Sequence, residues 1–383
     1  MRYNENINYT RNVIPFKEYV YVDVDDSNKN PKSLLKEDSV KYDLLILSHE
    51  DPLDPNETGP MILKVANGLG IKAVIAEFSG MYMEPEKQGP GKNVYFYKTN
   101  KEGNPIQPEV GDEPQYDKPF NIHPDKTLIM ARGLGSSVKH GNRSWWVTVK
   151  NLEEEGYTVI NSTKCHDICS DKWYNQVVFH KNDFNTPDTV LIRNQQDAGG
   201  AAEKLNNKFP MILKTSTGSR GVGVMWVENL KSLHSMVQLL HRDDPYVDMI
   251  LQEFIKTKYD VRVIVVAGEI IGAMKRPIVS DDFRSNVSQG SEPEIYELTD
   301  LEASESLRAA KVVDGLIVGV DFIPAKNRVK EKPYMIEVNS TPGLMGIEAV
   351  YKGAASKPLI KDKGRSITKE ILVKFMNRSL WKN

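Results

Sequence analysis

Cysteine is scarce in this sequence, and no stretch of it stays apolar for long. Two of the 383 residues are cysteines, too few for a disulfide framework. Cys165 and Cys169 flank His166, but a structural zinc site normally needs four ligands, so two reduced thiols are the preferred interpretation. No run reaches the length of a membrane span, and residues 1–6 lack an apolar signal segment. We therefore expect a cytoplasmic protein without a membrane partner.

Net charge is also nearly absent. The formal charge is −2, although 27% of the residues are charged and 40% are hydrophobic. Such a chain has no general basic field with which to attract nucleic acid, so nucleic acid is not an expected partner. The length suits two or three globular domains.

The first part of the chain alternates short apolar strands with a helical pattern. Residues 43–48 and 73–76 are predicted strands, and the apolar spacing over 61–69 predicts a helix between them. A strand–helix–strand unit indicates a parallel, Rossmann-like layer, which further strands from residue 127 onwards extend. Glycine, proline and polar residues dominate 80–124, and we expect a loop-rich excursion there.

A glycine-rich hairpin is predicted after the strand that ends at Lys214. Residues 215–223 are rich in serine, threonine and glycine, and a strand rather than a helix follows them. Glycine lets backbone N–H groups approach closely, so such a flap can cover phosphates, although it is not a Walker loop. Lys172 lies in the first turn of a helix with Ser170 as the expected N-cap. A lysine is electrostatically unfavourable there, so both a functional lysine and an ordinary exposed one remain open.

Two polar residues, Gln252 and Glu253, interrupt the apolar strand 249–255. Adenine needs an apolar slot with a few edge hydrogen bonds, and a strand that runs into a loop offers both. Asp260 follows this strand and is either an acceptor for ribose hydroxyls or an ordinary turn acid. Arg262 lies in an otherwise apolar strand, so we expect it to be paired or to face a cleft.

A strand that ends in a Ser-Thr-Pro-Gly turn carries Glu337 and Asn339. Side chains alternate along a strand, so these two are predicted to share one face, while Ile336 and Val338 point into the core. An antiparallel neighbour is expected to bring Asp321 beside Glu337. Carboxylate and amide oxygens suit Mg²⁺; the alternative is an edge strand with solvated acids.

These pieces occur in the order that they have in a known family. From about residue 127 to the C-terminal helix the chain resembles the ATP-grasp ligases, and most of all the RimK-type ribosomal-protein glutamate ligases. The most specific pieces are Phe-Arg-Ser-Asn at 283–286 and Glu-Val-Asn-Ser-Thr-Pro-Gly at 337–343. The resemblance implies an α/β protein with α+β lobes, in which an ATP-grasp fold follows an N-terminal Rossmann-like domain. The expected parts are a first domain over residues 1–168, a small lobe with the flap over 169–250, and a large lobe with the metal and catalytic site over 251–383.

The resemblance also implies the reaction and its residues. A carboxylate attacks the γ-phosphate of ATP to give an acyl phosphate, and an amine then displaces phosphate to form an amide. ATP and two Mg²⁺ ions, replaceable by Mn²⁺, are the implied cofactors. The roles carried over are metal binding by Asp321, Glu337 and Asn339, catalysis by Arg284, Arg262 and Asn286, and ATP binding by Lys172, Lys214, Ser216, Gly218, Gly221, Gly223, Gln252, Glu253, Phe254, Ile255 and Asp260.

The substrates stay open at this point. One version adds an amino acid such as glutamate to a protein or peptide; another joins small molecules into di- or oligopeptides. A synapsin-like, non-catalytic ATP-binding module is the alternative from another class, although the metal acids and Arg284 are all present. A homo-oligomer is left open. The chain departs from the family before residue 127 and in the basic connection 325–332, and both regions are candidates for contacting the substrate.

Overall fold

The computed structural model describes residues 42–48, 58–78, 81–83, 92–96, 120–134, 143–218, 223–278, 293–353 and 364–377. The strands in chain order are β1 (Leu44–Ser48), β2 (Ala73–Glu77), β3 (Met81–Met83), β4 (Lys92–Phe96), β5 (Phe120–Ile122), β6 (Leu128–Ala131), β7 (Val159–Ile160), β8 (Thr189–Ile192), β9 (Met211–Thr215), β10 (Val224–Val227), β11 (Met249–Glu253), β12 (Tyr259–Val266), β13 (Glu269–Pro277), β14 (Glu294–Ile295), β15 (Ile317–Ile323) and β16 (Tyr334–Asn339). The helices are α1 (Thr58–Gly68), α2 (Arg143–Glu154), α3 (Thr163–Ser170), α4 (Lys172–Lys181), α5 (Asp197–Lys204), α6 (Leu230–Asp243), α7 (Asp300–Val312), α8 (Met345–Gly353) and α9 (Ile367–Met376).

The first sheet is a four-stranded parallel layer with the order β2-β1-β6-β7. Every residue of β1 is buried, because helices cover both faces of the layer. Ile46 shares one core with Ile62 of α1, and Leu45 shares another with Val149 of α2. Burial on both faces explains the uninterrupted apolar run. The predicted Rossmann-like layer is confirmed.

The excursion predicted to be rich in loops contains a sheet of its own. Strands β3, β4 and β5 pair antiparallel. The sequence predicts one strand here, around Val94, and the structure adds a short partner on each side of it. The rest of residues 84–119 lies outside the described part of the chain.

The small lobe is an antiparallel sheet with the order β10-β9-β11-β8. Ala202 of α5 and Leu233 of α6 belong to its core. The predicted lobe boundary between residues 250 and 251 falls inside β11, which pairs with β8 and β9 along its length. We therefore propose that this lobe ends after Glu253.

The large lobe is an antiparallel sheet with the order β14-β13-β12-β15-β16. A β-bulge interrupts the β15–β16 pairing between Asp321 and Phe322. As a result Met335, rather than Ile336, lies opposite Phe322 and is buried in the core, and Ile336 is only half-buried. The predicted core position of Ile336 is wrong, because the extra residue breaks the alternation of side chains.

Two helix predictions also change. Ser170, the predicted N-cap, instead ends α3; Asp171 caps α4 by accepting a hydrogen bond from the N–H of Tyr174 at 3.0 Å. Aspartate and serine are equally good N-caps, so the sequence does not distinguish them. The last helix is predicted from about residue 357 and begins at Ile367 in the structure, while residues 357–363 lie outside the described part of the chain. Within the described residues no helix combines the length and the apolar character that a membrane crossing requires.

Candidate active site

Three oxygen-bearing side chains meet where β15 and β16 run side by side. Asp321 pairs with Glu337 across the strands, which confirms the predicted register. The side-chain amide of Asn339 donates to Asp321 Oδ2 at 3.3 Å and to Glu337 Oε1 at 3.2 Å. Among the described residues no group of three His, Cys, Asp or Glu side chains could hold a metal ion. The set at β15 and β16 has two carboxylates, and its third member is an amide. Cys165 and Cys169 are free thiols.

Two arginines neutralise Asp321. Arg262 donates to both carboxylate oxygens, at 2.7 and 2.6 Å, which confirms its predicted pairing, and Arg276 lies 3.1 Å away. Burial raises the pKa of Asp321, but the charges of Arg262 and Arg276 outweigh burial and hold the pKa below its usual value. Asp321 is therefore ionised at neutral pH.

Arg276 is a site residue that the sequence prediction misses. Its guanidinium donates to the two oxygens of Asp260 at 2.8 and 2.6 Å and so links Asp260 to Asp321. Burial lowers the pKa of Arg276, but both carboxylates raise it well above its ordinary value. The sequence signal that could have found Arg276 is the same as for Arg262: a charged residue lies within a largely apolar strand. Asp260 has both oxygens engaged by Arg276, and its contact with ribose stays a prediction.

Lys214 and Lys172 bring positive charge to the candidate site. Lys214 donates to Gln252 Oε1 at 2.6 Å, and Gln252 donates in turn to Thr189 Oγ1 at 2.8 Å. Burial lowers the pKa of Lys214 to about 8 against the opposing charge of Glu337. Burial also lowers the pKa of Lys172, and Glu337 opposes that shift too. The two lysines and Glu337 therefore form one electrostatic group that spans both lobes.

The base of the flap is tied to the start of α4. The ammonium of Lys172 donates a hydrogen bond to Gly218 O at 2.9 Å, and the backbone N–H of Lys172 donates to Ser216 O at 2.8 Å. Ser216 Oγ donates to Asp171 Oδ1 at 2.6 Å. Ser216 is buried, so its hydroxyl serves this internal contact, and its backbone N–H donates to Asp248 O at 2.8 Å. The ATP contact of Ser216 stays a prediction.

Glycine is required where the flap rejoins the sheet. Gly223 has φ +78°, and a Cβ there would fall 2.5 Å from Thr215 Oγ1. A side chain at this position would be strained and would clash. Three other predicted site residues, Gly221, Arg284 and Asn286, lie outside the described residues.

The end of β11 lies beside an aromatic pair. Trp226 of β10 and Phe254 pack edge to face with their ring centroids 4.7 Å apart. Glu253, Phe254 and Ile255 are half-buried, and the backbone N–H of Glu253 donates to Asp188 O at 2.8 Å. The residues predicted to contact adenine thus occupy a partly accessible edge of the small lobe. Trp226 is the neighbour that the sequence prediction does not include.

Three comparisons with known proteins show what the chain is similar to. A family model described as the RimK-like ATP-grasp domain matches residues 169–362. The chain is 33% identical over 244 residues to the coenzyme gamma-F420-2:alpha-L-glutamate ligase of Methanocaldococcus jannaschii, covering 62% of this chain and 81% of that protein. It is 30% identical over 221 residues to a probable alpha-L-glutamate ligase of Rhodopirellula baltica, covering 57% of this chain and 52% of the relative.

A solved structure extends the likeness over most of the chain. The macrocyclase MdnC, bound with precursor peptide MdnA from Microcystis aeruginosa, aligns with a TM-score of 0.58 and 13% identity over 87% of this chain and 99% of that chain. At this identity the likeness shows the fold alone. Together with the family match and the glutamate-ligase relatives, it leads to one conclusion. The chain belongs to the RimK-like ATP-grasp family and is an ADP-forming ligase that joins an acid to an amino acid.

Proposed function

We propose that this protein uses Mg-ATP to activate a carboxylate on a protein or peptide acceptor as an acyl phosphate, and joins it to the amine of an amino acid such as glutamate. The electrostatic group of Lys172, Lys214 and Glu337 carries the proposal, because it brings phosphate-binding cations to the metal-binding acids. Such a site needs no nucleophile from the protein, since the reaction depends on positioning and on neutralising charge.

The oxygen set of Asp321, Glu337 and Asn339 fits Mg²⁺. This ion takes one or two carboxylates and completes its shell with phosphate oxygens and water. The Asn339 amide, turned over, presents its oxygen in place of its nitrogen, since the two ends of an amide have nearly the same shape. When bound, Mg-ATP supplies the γ-phosphoryl group and a partial neutralisation of its charge. Two ions, with Mn²⁺ as a substitute, are part of the proposal.

The small lobe, the start of α4 and Asp260 of β12 provide the rest of the nucleotide site. Lys214, positioned by Gln252, and Lys172 hold phosphate oxygens. The flap contributes the backbone N–H groups of its glycines. Glu253 and the backbone of Phe254 and Ile255 contact the adenine edge, and Asp260 accepts from ribose hydroxyls.

Arginine side chains stabilise the negative charge of the transferred phosphate. Arg262 now neutralises Asp321, and we propose that it turns to the phosphate when Asp321 serves as a metal ligand. Arg284 and Asn286 are proposed to act at the same phosphate. Arg276 stays with Asp260 and keeps the two strands in register.

The acceptor has two candidates. MdnC, which is bound with a precursor peptide, supports a protein or peptide acceptor on this fold. The relative from Methanocaldococcus jannaschii is named for the coenzyme gamma-F420-2, and this favours a small molecule that carries the carboxylate as the second candidate.

The test is release of ADP and phosphate from Mg-ATP across a panel of amino acids, each combined with peptide or small-molecule acceptors. Release that requires one amino acid, with the matching mass increase on the acceptor in mass spectrometry, supports the ligase and identifies both substrates. Tight ATP binding without release for any acceptor, also in host extract, contradicts the proposal and favours a non-catalytic module.

Two variants test the site in the same assay. Glu337→Gln removes a charge that the metal and both lysines require, and we expect the rate of ADP release to fall by about 10²–10³-fold. Glu203→Gln changes an exposed acid on α5 and should behave as the wild type. Unchanged turnover in Glu337→Gln would remove the assignment of this site.

A further inference from the structure

Arg132 lies at the carboxyl end of β6, where its backbone N–H donates to Leu47 O of β1 at 2.7 Å. In the sheet, β2 lies on one side of β1 and β6 lies on the other. Strands β1 and β6 therefore flank the point at which the strand order reverses. In open parallel sheets, ligands bind in the crevice beyond the carboxyl ends of the strands at such a point. Arg132 occupies this place in the first domain.

Arg132 is buried without an acidic partner among the described residues. The residue is 5% exposed. One terminal nitrogen donates to Pro342 O at 3.0 Å, and Nε has no hydrogen-bond partner in the part of the chain that the structure describes. Burial lowers the pKa of Arg132 to about 10. An uncompensated buried charge is costly, and a ligand anion would compensate it.

A second polar group near Arg132 is also incompletely satisfied. His166 is fully buried, its Nδ1 lies 2.9 Å from Ser340 Oγ, and its Nε2 has no hydrogen-bond partner among the described residues. Burial, with a contribution from the charge of Arg132, lowers the pKa of His166 to about 3, so the ring is neutral at physiological pH. Ser340 and Pro342 belong to one turn, which both side chains therefore contact.

This turn joins the crevice to the candidate active site. A Cβ at Gly319 would lie 2.9 Å from Pro342 Cβ and 3.6 Å from Arg262 Nε. Pro342 therefore packs against the strand that carries Asp321, while its carbonyl accepts from Arg132. A ligand held by Arg132 would therefore lie next to the turn that packs against the strand of Asp321.

We propose that Arg132 binds the α-carboxylate of the amino acid that supplies the amine, in the crevice at the carboxyl ends of β1 and β6; the inference rests on the function proposed above. The carboxylate that is phosphorylated must lie at the phosphates, beside the lysines and Glu337. The α-carboxylate of the amino acid remains free in the product and lies next to the attacking amine, so its binding orients that amine. A guanidinium can give a carboxylate two parallel hydrogen bonds, and the unpartnered Nε supplies one of them.

The test compares an amino acid with its α-amide, which lacks the negative charge. The twenty standard amino acids are titrated calorimetrically into the full-length protein with Mg²⁺ and a non-hydrolysable ATP analogue, and the best binder is then compared with its own α-amide. We expect the wild type to prefer the acid by about 10–100-fold. Arg132→Met should bind acid and amide equally weakly while its affinity for the ATP analogue is retained. Arg132→Lys keeps the charge without the fork and should retain part of the preference.

Asn161→Ala is the matched control. The side-chain amide of Asn161 donates to Ser340 O on the same turn, so this variant disturbs the turn without removing the charge. Its preference for acid over amide should persist. An unchanged affinity for the ATP analogue shows that Arg132→Met is folded. If Arg132→Met does not fold, the acid preference of Arg132→Lys tests the inference instead.

Two outcomes overturn the inference. One is that Arg132→Met prefers the acid over the amide as strongly as the wild type does. If Arg132→Met does not fold, the corresponding outcome is an undiminished acid preference in Arg132→Lys. The other is a wild-type protein that binds acid and amide equally or binds neither. Because binding is measured without turnover, absence of ADP in the Mg-ATP assay contradicts only the proposed function and leaves this test intact.

Discussion

The molecule buries two arginines in opposite ways. Arg276 lies between Asp260 and Asp321, whose charges raise its pKa against the effect of burial. Arg132 has a backbone carbonyl of Pro342 as its hydrogen-bond acceptor, and its pKa falls. Burial alone therefore does not distinguish a structural arginine from one that binds a ligand. The distinction lies in whether a carboxylate of the chain neutralises the arginine.

The largest expected effect concerns the compensated arginine. Arg276→Met leaves Asp260 and Asp321 without this cation in a buried place. Removing one partner of a buried ion pair costs about 3–5 kcal/mol, so we expect the free energy of unfolding in urea to fall by that amount. A loss below about 1 kcal/mol would show that Arg276 does not hold the two strands together.

A smaller loss is expected when the acid is changed instead. Asp260→Asn leaves Arg276 paired with Asp321, so we expect a loss of about 1–3 kcal/mol in the same urea experiment. Asp243→Asn, an exposed acid on α6, is the control and should stay within about 0.5 kcal/mol of the wild type. A larger loss for Asp260→Asn than for Arg276→Met would make the carboxylate, not the arginine, the anchor of this cluster.

Lys214 lies between these two extremes, because it is half-buried and its hydrogen-bond partner is the neutral Gln252. Its pKa of about 8 lies below the ordinary value of 10.5. The unfolded chain therefore binds more protons between these values, and the contribution of Lys214 to stability rises with pH there. Phosphate binding has the opposite trend, since it needs the charged lysine.

The affinity for Mg-ATP should accordingly fall above about pH 8, by up to about tenfold per pH unit. Calorimetric titrations from about pH 7 to about pH 9.5 measure this slope. Lys214→Arg stays charged throughout and should remove the dependence. An equally steep fall in the arginine variant would assign the titration to another group.

The smallest effect is expected at the uncompensated arginine. Arg132→Met removes one hydrogen bond to Pro342 O but also removes a buried charge, so the free energy of unfolding should change by less than about 1 kcal/mol without added amino acid. The measurement is the urea series used for Arg276→Met. A loss as large as that of Arg276→Met would show that Arg132 already has a partner within the chain, and the contrast between the two arginines would disappear.

Local patterns account for much of the fold. The apolar run of β1 and the helical spacing of α1 involve residues close in sequence, and the parallel layer follows from their order. The pairing of Asp321 with Glu337 is predictable as well, because a short connection favours antiparallel neighbours.

The position of Arg276 depends on a register that the sequence does not reveal. A continuous register from the two-residue turn of the β12–β13 hairpin would pair Asp260 with Lys275. A bulge after Ile264 pairs Asp260 with Arg276 instead, and such bulges depend on the packing of the whole sheet. Arg132 and its acceptor Pro342 are 210 positions apart, so their contact becomes visible only in the folded chain.

Asn161, at the end of β7, has a consequence for motion. Its amide nitrogen donates to Ile317 O at 2.7 Å and to Ser340 O, and its oxygen accepts from the N–H groups of Leu316 and Ile317. Displacing the first domain from the large lobe would break these four hydrogen bonds together. We therefore expect these two parts to move as one rigid body.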